Sequence, residues 1–126
     1  IFILPNLRMY CNIRQITPRM ELYMEIEPFK ALCQDTSIAM TNHAKARLFE
    51  RNICLDDIES AVSSGHIIES YPEDTPFPSC LIAGKAINGN VLHTVVSTDG
   101  EFLYIITAYW PNPDKWTNNF TKRKEE

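Results

Sequence analysis

The stretch 79–109 reads SCLIAGKAINGNVLHTVVSTDGEFLYIITAY and contains three predicted strands. The runs rich in β-branched and aromatic residues are Ser79–Ile87, Val91–Thr98 and Glu101–Tyr109. Asn88-Gly89 and Asp99-Gly100 separate them, and these dipeptides are typical of tight turns between antiparallel strands. The stretch therefore predicts an antiparallel meander, with the central strand of the sheet at 91–98 or 101–109.

Strand periodicity assigns each side chain of the meander to one of two faces. If both turns have two residues, His93 shares its face with Val91, Val95, Tyr104 and Ile106. Thr94, Thr107 and Tyr109 then point the other way. A single bulge would change this register.

Two helices are predicted before the meander, over residues 38–51 and 56–64. The first can end at Asn52, because asparagine tolerates the left-handed conformation of a helix C-terminus. The second has Asp56 as a predicted N-cap, with Glu59 three residues later in the position of a capping box. Together they predict an αα-hairpin with a tight link.

The segments around these elements complete the predicted fold. His66–Tyr71 reads as a further strand, and Asp114 can cap a short last helix held by Trp116 and Phe120. Residues 122–126 are expected to be a mobile charged tail. The predicted class is α+β, with two N-terminal helices packed on a four-stranded, mainly antiparallel sheet and a short C-terminal helix.

The N-terminal part of the chain has a different character. Residues 1–36 are expected to be an N-terminal extension that is partly non-native, because residues 1–19 are basic and Met20 starts an acidic stretch. Pro28 is expected to interrupt any helix there. Residues 37–126 are predicted to form a single α+β domain.

Composition restricts the class of protein. The chain has 126 residues, 44% of them hydrophobic, and a net charge of −4, which argues against non-specific coating of nucleic acid. Four cysteines without a C-x-x-C pair predict buried free thiols and a cytoplasmic protein. No apolar run approaches a membrane span, and only four glycines leave no glycine-rich loop for a nucleotide. No cofactor is expected.

One helical stripe stands out as a candidate anion-binding surface. His43, Arg47 and Arg51 are spaced four residues apart, so a helix stacks them on one side, with Glu50 beside them. The alternative is a solvated charged face with an internal ion pair from Arg47 or Arg51 to Glu50.

Four motifs occur in a fixed order along the chain. They are His43-Ala44-x-x-Arg47-x-x-Glu50-Arg51-x-Ile53, Pro78-Ser79-Cys80-Leu81, Leu92-His93-x-Val95-Val96 and Ile105-Ile106-Thr107-Ala108-Tyr109-x-Pro111-x-x-x-Lys115-Trp116. This order resembles the bacterial domain of unknown function numbered 4258. That family is distantly similar to the RelE- and MqsR-type toxins of toxin–antitoxin operons, which are small ribonucleases that cut messenger RNA. The resemblance implies a RelE-like fold, with helices followed by a curved antiparallel sheet, and no cofactor.

Cleavage of RNA without a metal needs a base, an acid and cations around the phosphate. His43 is the first candidate for acid–base work and His93 the second, while Arg47 and Arg51 suit phosphate and transition-state charge. Substrate-binding roles are expected for Glu50, which would orient an arginine, and for Tyr109 and Lys115, which could stack on a base or supply a cation.

The sequence therefore predicts a metal-independent endoribonuclease, with RNA as substrate and a cognate antitoxin whose acidic side chains cover Arg47 and Arg51. Three alternatives stay open. His93 could be a satisfied core residue, the chain could be a non-catalytic protein-interaction module, or His43, His93 and Glu50 could form a metal site. The oligomeric state is not predicted.

Overall fold

The computed structural model describes residues 24–34 and 36–125. The predictions for residues 1–19 and for a start at Met20 lie outside these ranges. In chain order the elements are helix α1 (Glu27–Ala31), strand β1 (Ile38–Ala39), helices α2 (Asn42–Glu50) and α3 (Leu55–Ser64), and strands β2 (His66–Tyr71), β3 (Ser79–Lys85), β4 (Val91–Thr98), β5 (Leu103–Tyr109), β6 (Trp116–Thr117) and β7 (Lys122–Arg123).

The main sheet has five strands rather than the predicted four. Its order is β1-β5-β4-β3-β2, and β1 runs parallel to β5, with Ile38 opposite Leu103. The predicted four-stranded sheet is therefore wrong, and the observed sheet is mixed. A two-residue strand carries no periodic signal and no turn of its own, and its pairing depends on residues 65 positions away in the chain.

The predicted meander is confirmed. Strands β2 to β5 pair antiparallel in sequence order, and β4 is the central strand. Both turns lie where the dipeptides predicted them, and Gly89 (φ 86°) and Gly100 (φ 92°) adopt the left-handed region that glycine favours. The connections between the strands, 86–90 and 99–102, are longer than two residues.

A bulge between β4 and β5 overturns the predicted register. Val95 lies opposite Thr107 while Val96 lies opposite Ile105, so that Ile106 is an extra residue in β5. Tyr109 consequently lies opposite His93, on the face from which the simple alternation excluded it. One inserted residue is enough because the side-chain period of a strand is two.

Both long helices form, but each begins at a different residue than predicted. The first was predicted over 38–51, whereas Ile38–Ala39 form β1 and α2 begins at Asn42. Thr41 caps α2 by accepting a hydrogen bond from the Ala44 amide (3.1 Å), and Asn52 has the left-handed conformation (φ 58°) that ends it. Helix α3 begins earlier than predicted, with Cys54 as its N-cap in place of Asp56. The Asp57 carboxylate accepts from the Cys54 amide (3.1 Å), which completes the capping box two residues before the predicted one.

The described part of the N-terminal extension packs against the domain. Pro28 lies in the first turn of α1 instead of interrupting a helix, because the amide that proline lacks has no partner there. Phe29, on this short helix, is fully buried in the core together with Ile58 and Leu92.

The predicted C-terminal helix is wrong, and a small hairpin of β6 and β7 takes its place. Asn118, Asn119 and Phe120 have φ angles of 57°, 59° and 67°, which reverse the chain and exclude a right-handed helix. Asparagine adopts this conformation readily, whereas a bulky phenylalanine does so rarely. We call residues 116–123 the C-terminal hairpin.

The helices cover one face of the main sheet. Leu92 and Val96 of β4 point toward α2 and α3, where they join Leu48, Ile58 and Val62 in the core. We call the opposite side, which carries His93 and Tyr109, the outer face. Cys33, Cys54 and Cys80 are free thiols, and of these only Cys80 is buried as predicted, while Cys33 is half-buried and Cys54 is exposed. Cys11 lies outside the described residues. In residues 24–34 and 36–125, no helix is long and apolar enough to span a bilayer.

Candidate active site

The predicted stripe on α2 lies at the surface. Helix α2 buries only Ala44 and Leu48, and His43 and Arg47 are exposed. Arg47 Nη1 lies 3.2 Å from Glu50 Oε1, in an ion pair whose side chains are 46% and 60% exposed. This is the internal ion pair of the alternative reading, and an exposed pair of this kind adds little stability.

The Arg51 side chain does not lie free at the surface with His43 and Arg47, and instead bonds the end of α2 to the sheet. Its Nη1 donates to the backbone carbonyl of Ala108 (2.8 Å) and to Thr107 Oγ1 (3.2 Å). Its own carbonyl accepts a hydrogen bond from Trp110 Nε1 (2.8 Å). Arg51 therefore anchors α2 to β5 instead of standing free beside Arg47.

This difference gives a stability prediction. Arg51→Ala should lower the free energy of unfolding by about 1–3 kcal/mol, because it leaves half-buried groups on β5 without a donor. Arg47→Ala, which removes only an exposed pair, should stay within about 0.5 kcal/mol of the wild type. Urea unfolding followed by circular dichroism measures both, and equal losses for the two variants would contradict the anchoring role of Arg51.

His93 is fully buried on the outer face, and both of its ring nitrogens have partners. Nε2 lies 2.7 Å from the carbonyl oxygen of Phe120, and Nδ1 lies 3.2 Å from the Tyr109 hydroxyl. A carbonyl only accepts, so Nε2 carries the proton, and Nδ1 of the neutral ring accepts from Tyr109. Burial lowers the pKa of His93, which favours this neutral form. The satisfied core histidine of the alternative reading describes its resting state.

Aromatic contacts hold the His93 ring in this position. Trp116, from the C-terminal hairpin, meets it edge to face with ring centroids 4.5 Å apart. Tyr109 makes a second edge contact at 5.3 Å. The C-terminal hairpin therefore covers His93 with a side chain, Trp116, and with a backbone carbonyl, that of Phe120.

An ion pair lies beside this histidine and is more open to solvent. Arg123 of β7 donates to Glu69 of β2 from Nε (2.6 Å) and Nη2 (3.2 Å), and the guanidinium stacks 4.7 Å above the Trp116 ring. The Tyr71 hydroxyl donates to Glu69 Oε1 (2.5 Å). The side chain of Arg123 is 61% exposed and that of Glu69 is 24% exposed.

The charges of this group follow from its contacts. Burial acts to raise the pKa of Glu69, but the hydrogen bonds from Arg123 and Tyr71 outweigh it and hold the pKa below its ordinary value. Burial and the bond to Glu69 raise the pKa of Tyr71 to about 12. The resting state is thus a carboxylate, a guanidinium and a protonated phenol. We call the following residues the outer cluster: Glu69, Tyr71, His93, Tyr109, Trp116 and Arg123.

The structure brings together only part of the predicted site. His93 and Tyr109 are in contact, and Lys115 immediately precedes the C-terminal hairpin, where its carbonyl accepts from the Lys124 amide (3.0 Å). His43, Arg47 and Glu50 lie on α2, which packs on the other face of the sheet, so the predicted stripe and His93 do not share one surface. In the described ranges, no group of three or more His, Cys, Asp and Glu side chains could hold a metal ion.

Sequence reasoning missed four members of the outer cluster. Glu69 and Tyr71 share a strand face by alternation, which was a usable signal. Trp116 was assigned to packing, correctly, but in a helix that does not form. Arg123 was placed in a mobile tail, and its partner lies 54 residues earlier in the chain, so no local pattern pointed to it.

Comparisons with known proteins agree with one of the resemblances noted in the sequence. Residues 40–110 match the model of the family described as domain of unknown function DUF4258. No curated protein and no solved structure matches the chain. The match spans α2 to β5 and includes His43, His93 and Tyr109, while the C-terminal hairpin follows it. Because the match covers more than half of the sequence, the chain belongs to the DUF4258 family.

Proposed function

We propose that this chain is a metal-independent endoribonuclease, an mRNA interferase-like toxin of a toxin–antitoxin pair, and that the outer cluster is its active site. The observation that supports this choice is the open ion pair of Glu69 and Arg123 with the Tyr71 hydroxyl bonded to it. A carboxylate, a guanidinium and a protonated phenol meet at one point of the surface. These are a base, a charge stabiliser and an acid, which is the set that RNA cleavage needs.

RNA carries its own nucleophile, the 2′-hydroxyl, so the protein has to bind the phosphate and move protons. When a phosphate oxygen of the substrate binds the Arg123 guanidinium in place of Glu69, Glu69 loses a partner that lowers its pKa. It then becomes a stronger base. Glu69 then removes the 2′-hydroxyl proton, the 2′-oxygen attacks phosphorus and the bond to the 5′-oxygen breaks. Tyr71 gives its hydroxyl proton to that 5′-oxygen.

The protons balance within the outer cluster. Cleavage leaves a 2′,3′-cyclic phosphate, a 5′-hydroxyl, a protonated Glu69 and a deprotonated Tyr71. The hydrogen bond between these two side chains (2.5 Å) returns the proton from the carboxyl to the phenolate and restores the resting state. In this proposal His93 and Tyr109 position the C-terminal hairpin, and with it Arg123, through the bond to Phe120.

The charge of the C-terminal region fits an RNA substrate. The chain as a whole has a net charge of −4, but Lys115, Lys122, Arg123 and Lys124 lie within ten residues that contain no Asp or Glu. The three lysines are exposed, like Arg123. A local group of cations of this kind attracts a phosphate backbone even on an acidic protein.

A cleavage assay with two arginine variants tests the proposal and the choice of site. Arg123→Ala should lower the rate of cleavage of a single-stranded RNA by about 100-fold or more, because it removes the charge stabiliser of the transition state. Glu69→Gln keeps the shape of the site and should also lower the rate of RNA cleavage by about 10²-fold or more, because it removes the base. Arg47→Ala is the matched control on α2 and should cleave at the rate of the wild type.

The controls separate loss of chemistry from loss of fold. Thermal unfolding of each variant shows whether the C-terminal hairpin and the domain are intact. The wild-type protein should not cleave an RNA with a single 2′-deoxy substitution at the cleaved position, because this RNA lacks the 2′-hydroxyl nucleophile. Loss of cleavage in Arg47→Ala with retention in Arg123→Ala would move the site to the α2 stripe. A wild type that cleaves no RNA would overturn the proposed activity.

A non-catalytic interaction module is the second candidate function, and one observation favours it. Phe49 of α2 is 84% exposed, one helical turn after the exposed Lys45. An apolar ring next to a cation suits a partner protein with acidic side chains, which is the chemistry expected of a cognate antitoxin over this helix. This candidate predicts that the wild type binds such a partner and that the same assay finds no RNA cleavage.

A further inference from the structure

A groove opens on the outer face at the end of the sheet away from His93. It has a volume of about 750 Å³. It lies between the connection from β2 to β3 and residues of β4 and β5. Its lining includes Glu73, Asp74, Phe77, Ser97, Tyr104 and Ile106. Ser97 follows His93 by four residues on β4, which is about 13 Å along an extended strand. The groove and the outer cluster share no residue, but they adjoin, because Tyr71 lies opposite Ser79 and Ser79 lies opposite Ser97.

The floor of the groove is apolar and its shape is held by fixed contacts. The rings of Phe77 and Tyr104 lie parallel within 5°, with centroids 6.4 Å apart. The Tyr104 hydroxyl donates to Asp99 Oδ2 (2.6 Å), which holds this ring in place. Ile106, the extra residue of the bulge, is 47% exposed beside it. An exposed aliphatic side chain next to aromatic rings offers a contact for an apolar side chain of a partner.

The rim of the groove is acidic, and cations are rare in the surrounding sequence. Glu73 and Asp74 line the groove. Asp99, which accepts from the lining residue Tyr104, and Glu101 lie on the turn that precedes β5. Between Arg51 and Lys115 the chain contains a single Lys or Arg, Lys85, and nine Asp and Glu residues. Lys85 ends β3, whereas the groove lies at the end where β3 begins. The groove therefore carries negative charge that no nearby lysine or arginine of the β2–β5 region neutralises.

We propose that this groove binds a basic segment of a partner protein, in which lysine or arginine side chains alternate with aliphatic ones. The aliphatic side chains pack on Phe77, Tyr104 and Ile106, and the cations face Glu73 and Asp74. Charge complementarity selects this occupant over RNA, because an acidic rim repels phosphate. The inference does not depend on the ribonuclease proposal, since the two sites share no residue.

Peptide titrations test this inference. The probe is a fluorescein-labelled hexapeptide, Lys-Leu-Arg-Ile-Lys-Leu, with Glu-Leu-Glu-Ile-Glu-Leu and Lys-Ser-Arg-Ser-Lys-Ser as matched controls. The full chain should bind the first peptide at least about tenfold more tightly than either control, because only the first supplies both charge and apolar contact. In an amide NMR titration, the resonances of residues 73–75, 77, 97 and 104–106 should shift, and those of the C-terminal hairpin should not.

Matched variants locate the binding. Glu73→Lys and Ile106→Ser should each weaken the binding of the first peptide about tenfold. The first variant reverses a rim charge and the second removes an apolar contact. Asp56→Lys and Ile87→Ser make the same changes at exposed positions away from the groove and should bind within about twofold of the wild type. Absence of binding at millimolar peptide, equal binding of the acidic peptide, or equal losses in the control variants would overturn the inference.

Discussion

The Gly84→Ala variant should lose most of its folding free energy and populate the native state poorly. A Cβ atom on Gly84 would lie 1.8 Å from the carbonyl oxygen of Ala61 and 2.6 Å from its carbonyl carbon. Both atoms belong to the backbone of α3, so no side-chain rotation relieves the overlap. Helix α3 would have to move away from β3, which would open the core around Ile58 and Val62.

The expected cost is more than about 4 kcal/mol, beyond the usual cost of overpacking, because the obstacle is backbone. For a domain with a total stability of about 5–15 kcal/mol, this is a large share. Urea unfolding measured by circular dichroism, and the dispersion of amide NMR signals, would show the loss directly.

Gly89→Ala is the control for this prediction. Nothing lies within 4 Å of a Cβ atom at Gly89, but its φ of +86° is unfavourable for an L-residue. The substitution should therefore cost only about 1–2 kcal/mol, through backbone strain alone. If Gly84→Ala is as mild as Gly89→Ala, the close contact between α3 and β3 is not present in solution.

The second large effect is expected at His93. His93→Ala should lower the free energy of unfolding by about 3 kcal/mol or more, because it leaves a cavity and removes the partners of the Phe120 carbonyl and the Tyr109 hydroxyl. His93→Gln can donate to that carbonyl with its amide nitrogen and accept from Tyr109 with its amide oxygen. It should recover a substantial part of the loss.

The same residue gives a pH dependence with a defined sign. Burial lowers the pKa of His93 in the folded chain below the ordinary value of 6.5. The unfolded chain then binds a proton that the folded chain does not. The contribution of neutral His93 to the free energy of unfolding is therefore fully present above about pH 6.5 and falls as the pH drops toward the folded pKa. Chemical unfolding of the wild type between pH 7.5 and pH 5 should show this decline.

The His93→Gln variant isolates this contribution. Glutamine does not titrate, so the decline just below pH 6.5 should be absent from the variant. Glu69, Asp57 and Asp99 also have lowered pKa values, but their contributions are lost only at more acidic pH and remain in both proteins. Identical pH profiles for the wild type and His93→Gln would show that His93 is not held neutral by the fold.

The hydrogen bond between Phe120 and His93 links the C-terminal hairpin to the main sheet. Phe120 has a φ of +67°, which is rare for a bulky residue, and its carbonyl points at the buried imidazole. Such a conformation persists only where the surrounding structure holds it. Here the bond to His93 and the packing of Trp116 hold it, and they also place Arg123 against Glu69. The rigidity of the proposed active site thus depends on a residue that need not touch the substrate.

The chain itself contains enough local information for most of its elements. Alternation and the two glycine turns predicted the meander, and the Asn52 end was correct for α2, because turns and helix ends act over three or four residues. The helical spacing also placed His43 and Arg47 side by side at the surface. Each of these features depends on neighbours within one turn of helix or one hairpin.

Only the tertiary structure decided which of these residues meet. One extra residue at Ile106 moved Tyr109 to the face of His93, because a strand alternates with a period of two. Three left-handed residues turned the expected last helix into a hairpin, which brought Arg123 to Glu69 across 54 positions of sequence. Arg51, indistinguishable from Arg47 by spacing, became an anchor because the carbonyl of Ala108 and the hydroxyl of Thr107 lie within its reach. These contacts depend on how distant segments pack, and no pattern within a single segment records that.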